Sequence, residues 1–408
     1  MTVTSHWRTL TLGEATVVNP RRSGSSIALG TADNVSFVPM ASVDEHTGTI
    51  ATPEVRAFGD VKSGFTWFRD GDVIFAKITP CMQNGKAAVA RGLVGGVGFG
   101  STEFHVLRPG PQVLPEWIWY FVREQTFRDE ARRNFKGTAG QQRVPADWLG
   151  SQLVPVPPLA EQRRILACLR EAMAKVHEVR RLREEALAES RGLLPSLLKD
   201  VFADVAGVHP SATVGSLTTE TRYGTSEKCS PANTGSPVLR IPNVAAGCVN
   251  FDNLKFLPSK VRPTDPLALR DGDLLVVRTN GSPDLVGRCA VVPALDGTFA
   301  YASYLIRVRL DPRRADSRYL SYFLASTLGR DQIATKRHTS AGQYNINTQD
   351  IHSIEVPLPP LAAQRELVRR MVEVEAAAKA TQLELAEALI RGEALPSSIL
   401  RKAFAGEL

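Results

Sequence analysis

Residues able to do chemistry gather at four places. Lys77-Ile78-Thr79 and Arg278-Thr279-Asn280 each follow an apolar run and lead into a loop rich in Gly and Pro. A cation followed by hydroxyl or amide groups suits nucleic acid. Lys or Arg clamps phosphate, and Asn or Gln reads adenine edges in the major groove. Gln83, Asn84 and Lys86 extend the first loop. The stretches 138–143 and 340–345 are glycine-centred and amide-rich, contributing Gln141, Gln142, Arg143, Gln343, Tyr344 and Asn345. Lys136 and Lys336 stand just before them at expected helix ends as candidate phosphate contacts. Other roles stay open: Lys77 and Arg278 as salt-bridged structural residues, the Gly-Gln stretches as plain turns, and cations placed at helix C-termini for local reasons.

Catalytic signatures are missing. Gly92, Gly95, Gly96, Gly98 and Gly100 form a run without Gly-x-Gly-x-x-Gly spacing between strand and helix, which reads as a flexible loop. Asn19-Pro20-Arg21 lacks the second proline and the aromatic of an amino-methyltransferase motif, and Pro283-Asp284 lacks the Glu-x-Lys of a nuclease. The seven histidines show no metal-ligand spacing. No catalytic, cofactor or metal site is expected.

The elements that must position these loops are written twice. Arg69-Asp70-Gly71-Asp72 recurs as Arg270-Asp271-Gly272-Asp273, and Pro157-Pro158-Leu159-Ala160-Glu161-Gln162-Arg163 recurs as Pro359-Pro360-Leu361-Ala362-Ala363-Gln364-Arg365. Gly13 with Gly215, Ser101 with Ser303, Gly140 with Gly342 and Phe202 with Phe404 fall on the same diagonal. A constant offset over both halves means tandem duplication, with a period far too long for a solenoid. Two similar units suit a partner with its own two-fold symmetry, and duplex DNA is a common one.

Each half has two parts, giving 1–158, 159–203, 204–360 and 361–408. The large parts mix short apolar runs with Gly, Pro, Asn and Asp. Residues 73–76, 104–107, 274–277 and 305–308 read as strands, and 115–133 and 317–334 as helices. The fold class is α+β. From Leu159 and from Leu361 the glycines and prolines nearly vanish, and apolar residues recur at 3–4 spacing through Ile165, Leu169, Val176, Val179 and Leu182, and through Leu367, Met371, Ala378 and Leu385. These are two long helices with coiled-coil-like seams, expected to pair antiparallel about a pseudo-two-fold axis, with Pro195 and Pro396 breaking or kinking them near their ends. As a ruler, 159–194 spans roughly 54 Å at the helical rise.

Composition agrees with a soluble globular chain: 408 residues, 43% hydrophobic and 22% charged. The net charge of +7 fits nucleic-acid contact without demanding it. The five cysteines include no Cys-x-x-Cys pair, no apolar run is long enough to span a bilayer, and residues 1–8 lack a signal peptide's apolar stretch, so a cytoplasmic location is expected.

With these pieces in order, the chain resembles the specificity subunits of type I restriction–modification systems over nearly its whole length. The resemblance is carried by Asp72 to Lys86, by Asp273 to Gly281 with Leu285-Val286-Gly287-Arg288, by Ser101 to Pro109, by Gly137 to Arg143, and by the helix entry at 157–163. It implies two target-recognition domains, each followed by a helical spacer, with no catalytic activity. Each domain would read one half of a split double-stranded DNA site. The helices would set the gap and dock two methyltransferase subunits that use S-adenosylmethionine, and two motor–nuclease subunits would complete the complex. A non-catalytic coiled-coil scaffold whose duplicated domains bind protein is the alternative reading.

Overall fold

The computed structural model describes residues 7–408 except 23–28, 46, 52, 139–140, 233–234, 259–264 and 341. The N-terminal 1–6, and Ala139, Gly140 and Ala341 of the amide-rich loops, lie outside the described residues. The chain forms two compact units, Met1–Leu182 with Ala388–Leu408, and Arg183–Glu387. Three helices dominate the helical parts: α1 (Leu159–Val208), α2 (Leu361–Gly392) and α3 (Leu395–Ala405).

In the first unit a four-stranded antiparallel sheet runs in the order Thr16–Val18, Phe104–Pro109, Val73–Ala76, Ala87–Val89. Val73–Ala76 is buried on both faces, which is why it reads as an unbroken apolar run. A second sheet places Val97–Gly100 between Asn34–Val38 and Thr66–Arg69. The glycine run is therefore partly strand, not wholly a flexible loop. A Cβ on Gly98 would strike the Phe68 ring and one on Gly100 the Val38 carbonyl, so glycine is required for the close packing.

The second unit repeats the first sheet as Thr218–Tyr223, Leu305–Leu310, Leu274–Val277, Cys289–Val291. In both units the repeated Arg-Asp-Gly-Asp is a turn followed by a buried anchor. Asp72 accepts from the Arg69 amide at 2.9 Å and from Arg108 at 2.8 and 2.7 Å. Asp273 accepts from the Arg270 amide at 2.8 Å and from Arg309 at 2.7 and 2.8 Å. Gly71 and Gly272 take φ of 86° and 80°, which other residues rarely adopt.

The second repeated motif is also an anchor. Gln162 is fully buried, accepts from the Leu114 amide at 2.9 Å and donates to the carbonyls of Gln112 and Pro157. Gln364 repeats this on the Asp316 amide and the carbonyls of Arg314 and Pro359. Each long helix is thus fastened to the domain before it by a side chain satisfied on three sides. The entry strands pair with strands from each domain's start, Arg8–Thr11 with Leu153–Val156 and Ser211–Thr213 with Glu355–Pro357.

The expected single helices over 115–133 and 317–334 are each two. Glu124 and Ser326 adopt extended backbone and cap Gln125–Arg133 and Thr327–Lys336, accepting from the amides of Phe127 and Gly329. Pro195 does not end its helix: α1 runs through it to Val208, whereas Pro396 sits in the first turn of the separate α3.

Both ends of the helical parts feed the cores. Ile165, Leu166 and Leu169 of α1 join Leu400, Ala403 and Phe404 of α3 in the first core. Leu198 and Phe202 of α1 join Val368 and Met371 of α2 in the second. Within the second unit Gln382 donates to the Ser190 carbonyl at 3.2 Å, while Leu194 and Leu198 face the same cavity as Val372 and Ala376. Not all of the apolar stripe is covered: Val179 and Leu182 stay 43% and 50% exposed.

Candidate nucleic-acid interface

The two candidate loops of each half, separated by about sixty residues, come together. In the first unit the Thr79 amide donates to the Gln142 carbonyl at 3.0 Å, and Ile78 and Lys136 both bridge to Arg143. Val144 donates to the Lys77 carbonyl at 2.9 Å. In the second unit the contact is a small sheet: Thr279–Asn280 pairs with Gln343–Asn345, which pairs with His338–Ser340. Backbone pairing thus fixes the two loops of each unit against one another.

The side chains divide by what they touch. Arg143 is held by Glu103 through two bonds of 2.8 Å, and this pairing keeps the Glu103 carboxyl below its ordinary pKa and raises that of Arg143. Arg143 therefore shapes the loop, its charge already matched. Asn84 donates to Glu45 at 3.2 Å, Lys86 reaches the Met40 carbonyl at 3.5 Å, and the Gln83 carbonyl accepts from Arg128 at 2.7 Å. Behind the loop His105 is buried, bonded to the Val144 carbonyl at 2.8 Å, and burial lowers its pKa. It braces the loop in neutral form.

Lys77 has no side-chain hydrogen bond or ion pair among the described residues, and neither does Arg278. Arg278 is instead ordered by stacking, its guanidinium 4.8 Å from the Tyr223 ring centre. The backbone on either side is locked, its amide bonded to the Tyr304 carbonyl and its carbonyl to the Ile346 amide, both at 2.9 Å. Asn280 caps its own turn by accepting from the Ser282 amide at 2.8 Å. Gln141 and Gln343 are exposed, Lys136 is exposed, and Thr79, Gln142, Thr279, Tyr344 and Asn345 are half-buried. Lys336 ends its helix half-buried.

One aromatic group beside the loops, Tyr304, escaped the sequence reading, whereas Tyr344 is one of its candidates. Tyr304 is 58% exposed beside Arg278, and Tyr344 lies 4.9 Å from the Arg337 guanidinium. Tyr304 falls one repeat offset from Glu103, so aligning the halves exposes a tyrosine in one loop where the other carries the carboxylate that neutralises Arg143. Among the described residues there is no group of His, Cys, Asp or Glu arranged to hold a metal, and no helix is long and apolar enough to cross a membrane.

Residues 270–388 match the family described as the type I restriction modification DNA specificity domain. The chain is 32% identical over 316 residues to the specificity subunit of the type I restriction enzyme EcoKI of Escherichia coli K12, covering 74% of this chain and 68% of that one. It is 24% identical over 489 residues to the EcoEI specificity subunit of Escherichia coli, covering 94% and 82%. The crystal structure of the HsdS subunit from Thermoanaerobacter tengcongensis matches with a TM-score of 0.70 at 24% identity, over 100% of this chain and 99% of that one. A chain from a study of assembly and conformational transition in the type I R-M system matches with a TM-score of 0.78 at 24% identity, over the whole of both chains.

Proposed function

Because the chain belongs to the specificity subunits of type I restriction–modification systems, which are non-catalytic, we propose that its two loop clusters read the two halves of a bipartite double-stranded DNA site. The observation that carries this is the convergence of both candidate loops in each unit. Distant segments bring cations, amides and hydroxyls together, with Lys77 and Arg278 carrying no side-chain hydrogen bond or ion pair among the described residues. Residues 1–158 and 204–360 are then the recognition domains, and 159–203 and 361–408 the spacers. The Ser190–Gln382 bond and the approach of Leu194 and Leu198 to Val372 and Ala376 support antiparallel pairing of α1 and α2 as a coiled coil. That pairing fixes the gap between half-sites. Exposed Val179 and Leu182 offer apolar ground for docking the two methyltransferase subunits, which bring S-adenosylmethionine. Two motor–nuclease subunits complete the assembly, in the cytoplasm where the genome lies.

The test is methylation-sensitive sequencing of the host genome with and without this gene. One split motif of fixed gap is expected to lose its adenine methylation, and loss of an unsplit motif or of none contradicts the reading. At the level of residues, Arg278→Ala in the assembled complex is expected to cost about 1–3 kcal/mol of DNA affinity. Lys77→Ala is expected to weaken binding evenly and shallow its salt dependence by about one unit. Neither should move the melting temperature. A protein-binding scaffold would instead show little salt dependence on DNA.

A further inference from the structure

A cavity of about 620 Å³ lies within the second unit, between the helix Ser317–Ala325, the strand Cys289–Val291, the loop 245–248 and parts of α1 and α2. The duplication provides its own control. Ala87 pairs with Phe75 as Cys289 pairs with Val276, and the helices Pro115–Arg123 and Ser317–Ala325 are both nine residues long. Their fifth residues are Trp119 and Ser321.

In the first unit the Trp119 indole donates to the Ala87 carbonyl at 2.8 Å. Its ring packs 4.4 Å from Tyr120 and takes the Arg123 guanidinium at 4.5 Å. Gly48 lies against the ring so closely that no Cβ would fit. The second unit keeps most of this frame without the ring. Cys289 faces the Ser321 hydroxyl at 3.6 Å, Tyr322 takes the place of Tyr120, and a Cβ on Gly247, in the matching loop, would meet nothing within 4 Å. Arg288, Arg318, Arg330 and Lys379 line the cavity, with the guanidinium groups of Arg288 and Arg330 held on the backbone carbonyls of Asp284, Ala245 and Val286. Among the described residues the one carboxylate lining it, Glu375, is bonded to Tyr322 at 2.6 Å and Lys379 at 2.7 Å.

We propose that this cavity binds a small planar aromatic anion of the nucleotide class, its heterocycle taking the place that Trp119 fills in the first unit and its phosphate meeting Arg318 and Lys379. The volume is in the range of small-molecule sites, and guanidinium and ammonium groups are the usual partners of phosphate. Cations in clear excess over carboxylate around an apolar floor favour such an anion over a neutral aromatic group. None of the loop residues assigned to DNA is among those lining the cavity.

The experiment is calorimetric titration of the full chain with adenosine 5′-monophosphate and with adenosine. One-to-one binding of the monophosphate is expected, with adenosine about ten-fold weaker or more. Ser321→Trp restores the ring of the first unit and is expected to abolish binding without lowering the melting temperature. Arg318→Glu, at an exposed position, is expected to weaken the monophosphate at least about ten-fold and keeps the test decisive should Ser321→Trp fold poorly. Absence of saturable binding at millimolar monophosphate overturns the proposal, as does binding that survives both substitutions. Failure of methyltransferase-subunit assembly in the same variants, with no monophosphate bound by the wild type, identifies a protein contact and also overturns it.

Discussion

Asp72→Ala lowers the unfolding free energy of the first unit by about 3–5 kcal/mol, the cost of stranding one partner of a buried ion pair. Asp72 is 1% exposed and Arg108 17%, so water cannot replace the lost carboxylate. The aspartate also holds the Arg69 amide, and its removal opens the turn into the most buried strand. Asp273→Ala is expected to cost less, because Arg309 keeps Glu220 at 2.9 Å and the fully buried Arg307 keeps it at 2.7 Å. Pairing Asp72→Ala with Arg108→Met should recover a large part of the loss, since an apolar pair carries no stranded charge. Denaturant unfolding followed by tryptophan fluorescence separates the units cleanly: all five tryptophans lie before residue 150. A Asp72→Ala chain whose tryptophan transition stays within about 1 kcal/mol of the wild type would show the pair to be solvated, and the explanation of the repeated motif would fail.

Phe404→Ala is the second large effect. The ring sits 4.8 Å from Trp117 and 5.6 Å from Phe121, in a core whose buried residues, apart from Leu400, Ala403 and Phe404 itself, all come before 170. Truncating a buried phenylalanine costs about 3–5 kcal/mol. Removing α3 altogether also takes Leu400 and Ala403 and should abolish the tryptophan transition while the second unit still unfolds cooperatively by circular dichroism. Phe202→Ala, whose ring lies 5.3 Å from both Tyr319 and Phe323, is the matching lesion and should leave the tryptophan signal unmoved. An unchanged tryptophan transition in Phe404→Ala would mean that the tail does not complete the first core.

Much of this was legible before the structure, for identifiable reasons. Val73–Ala76 and Leu274–Val277 stand where unbroken apolar runs place buried strands, and α1 and α2 start at the residues after the double prolines. What local pattern could not supply was partnership. Glu124 and Ser326 look like ordinary helical residues until their carboxylate and hydroxyl are seen capping the next helix. Gly98 and Gly100 look like a loop until Phe68 and Val38 are seen against them. Among the candidate contacts, Arg143 and Arg278 are both cations beside amide-rich turns, yet one is matched by Glu103 and the other rests on an aromatic ring. That distinction depends on residues forty or more positions away, which no spacing rule reaches.

The seating of Leu400, Ala403 and Phe404 in the first core has a temporal side. On the ribosome, everything from 183 to 387 is made between the two segments of the first unit. At about 5–20 residues per second that interval is on the order of 10 to 40 s. The second unit, continuous in sequence, has all its parts first. The half of the protein begun earliest is finished last, and until then Trp117 and Phe121 wait beside an unfilled gap, where chaperones have their longest opportunity to act.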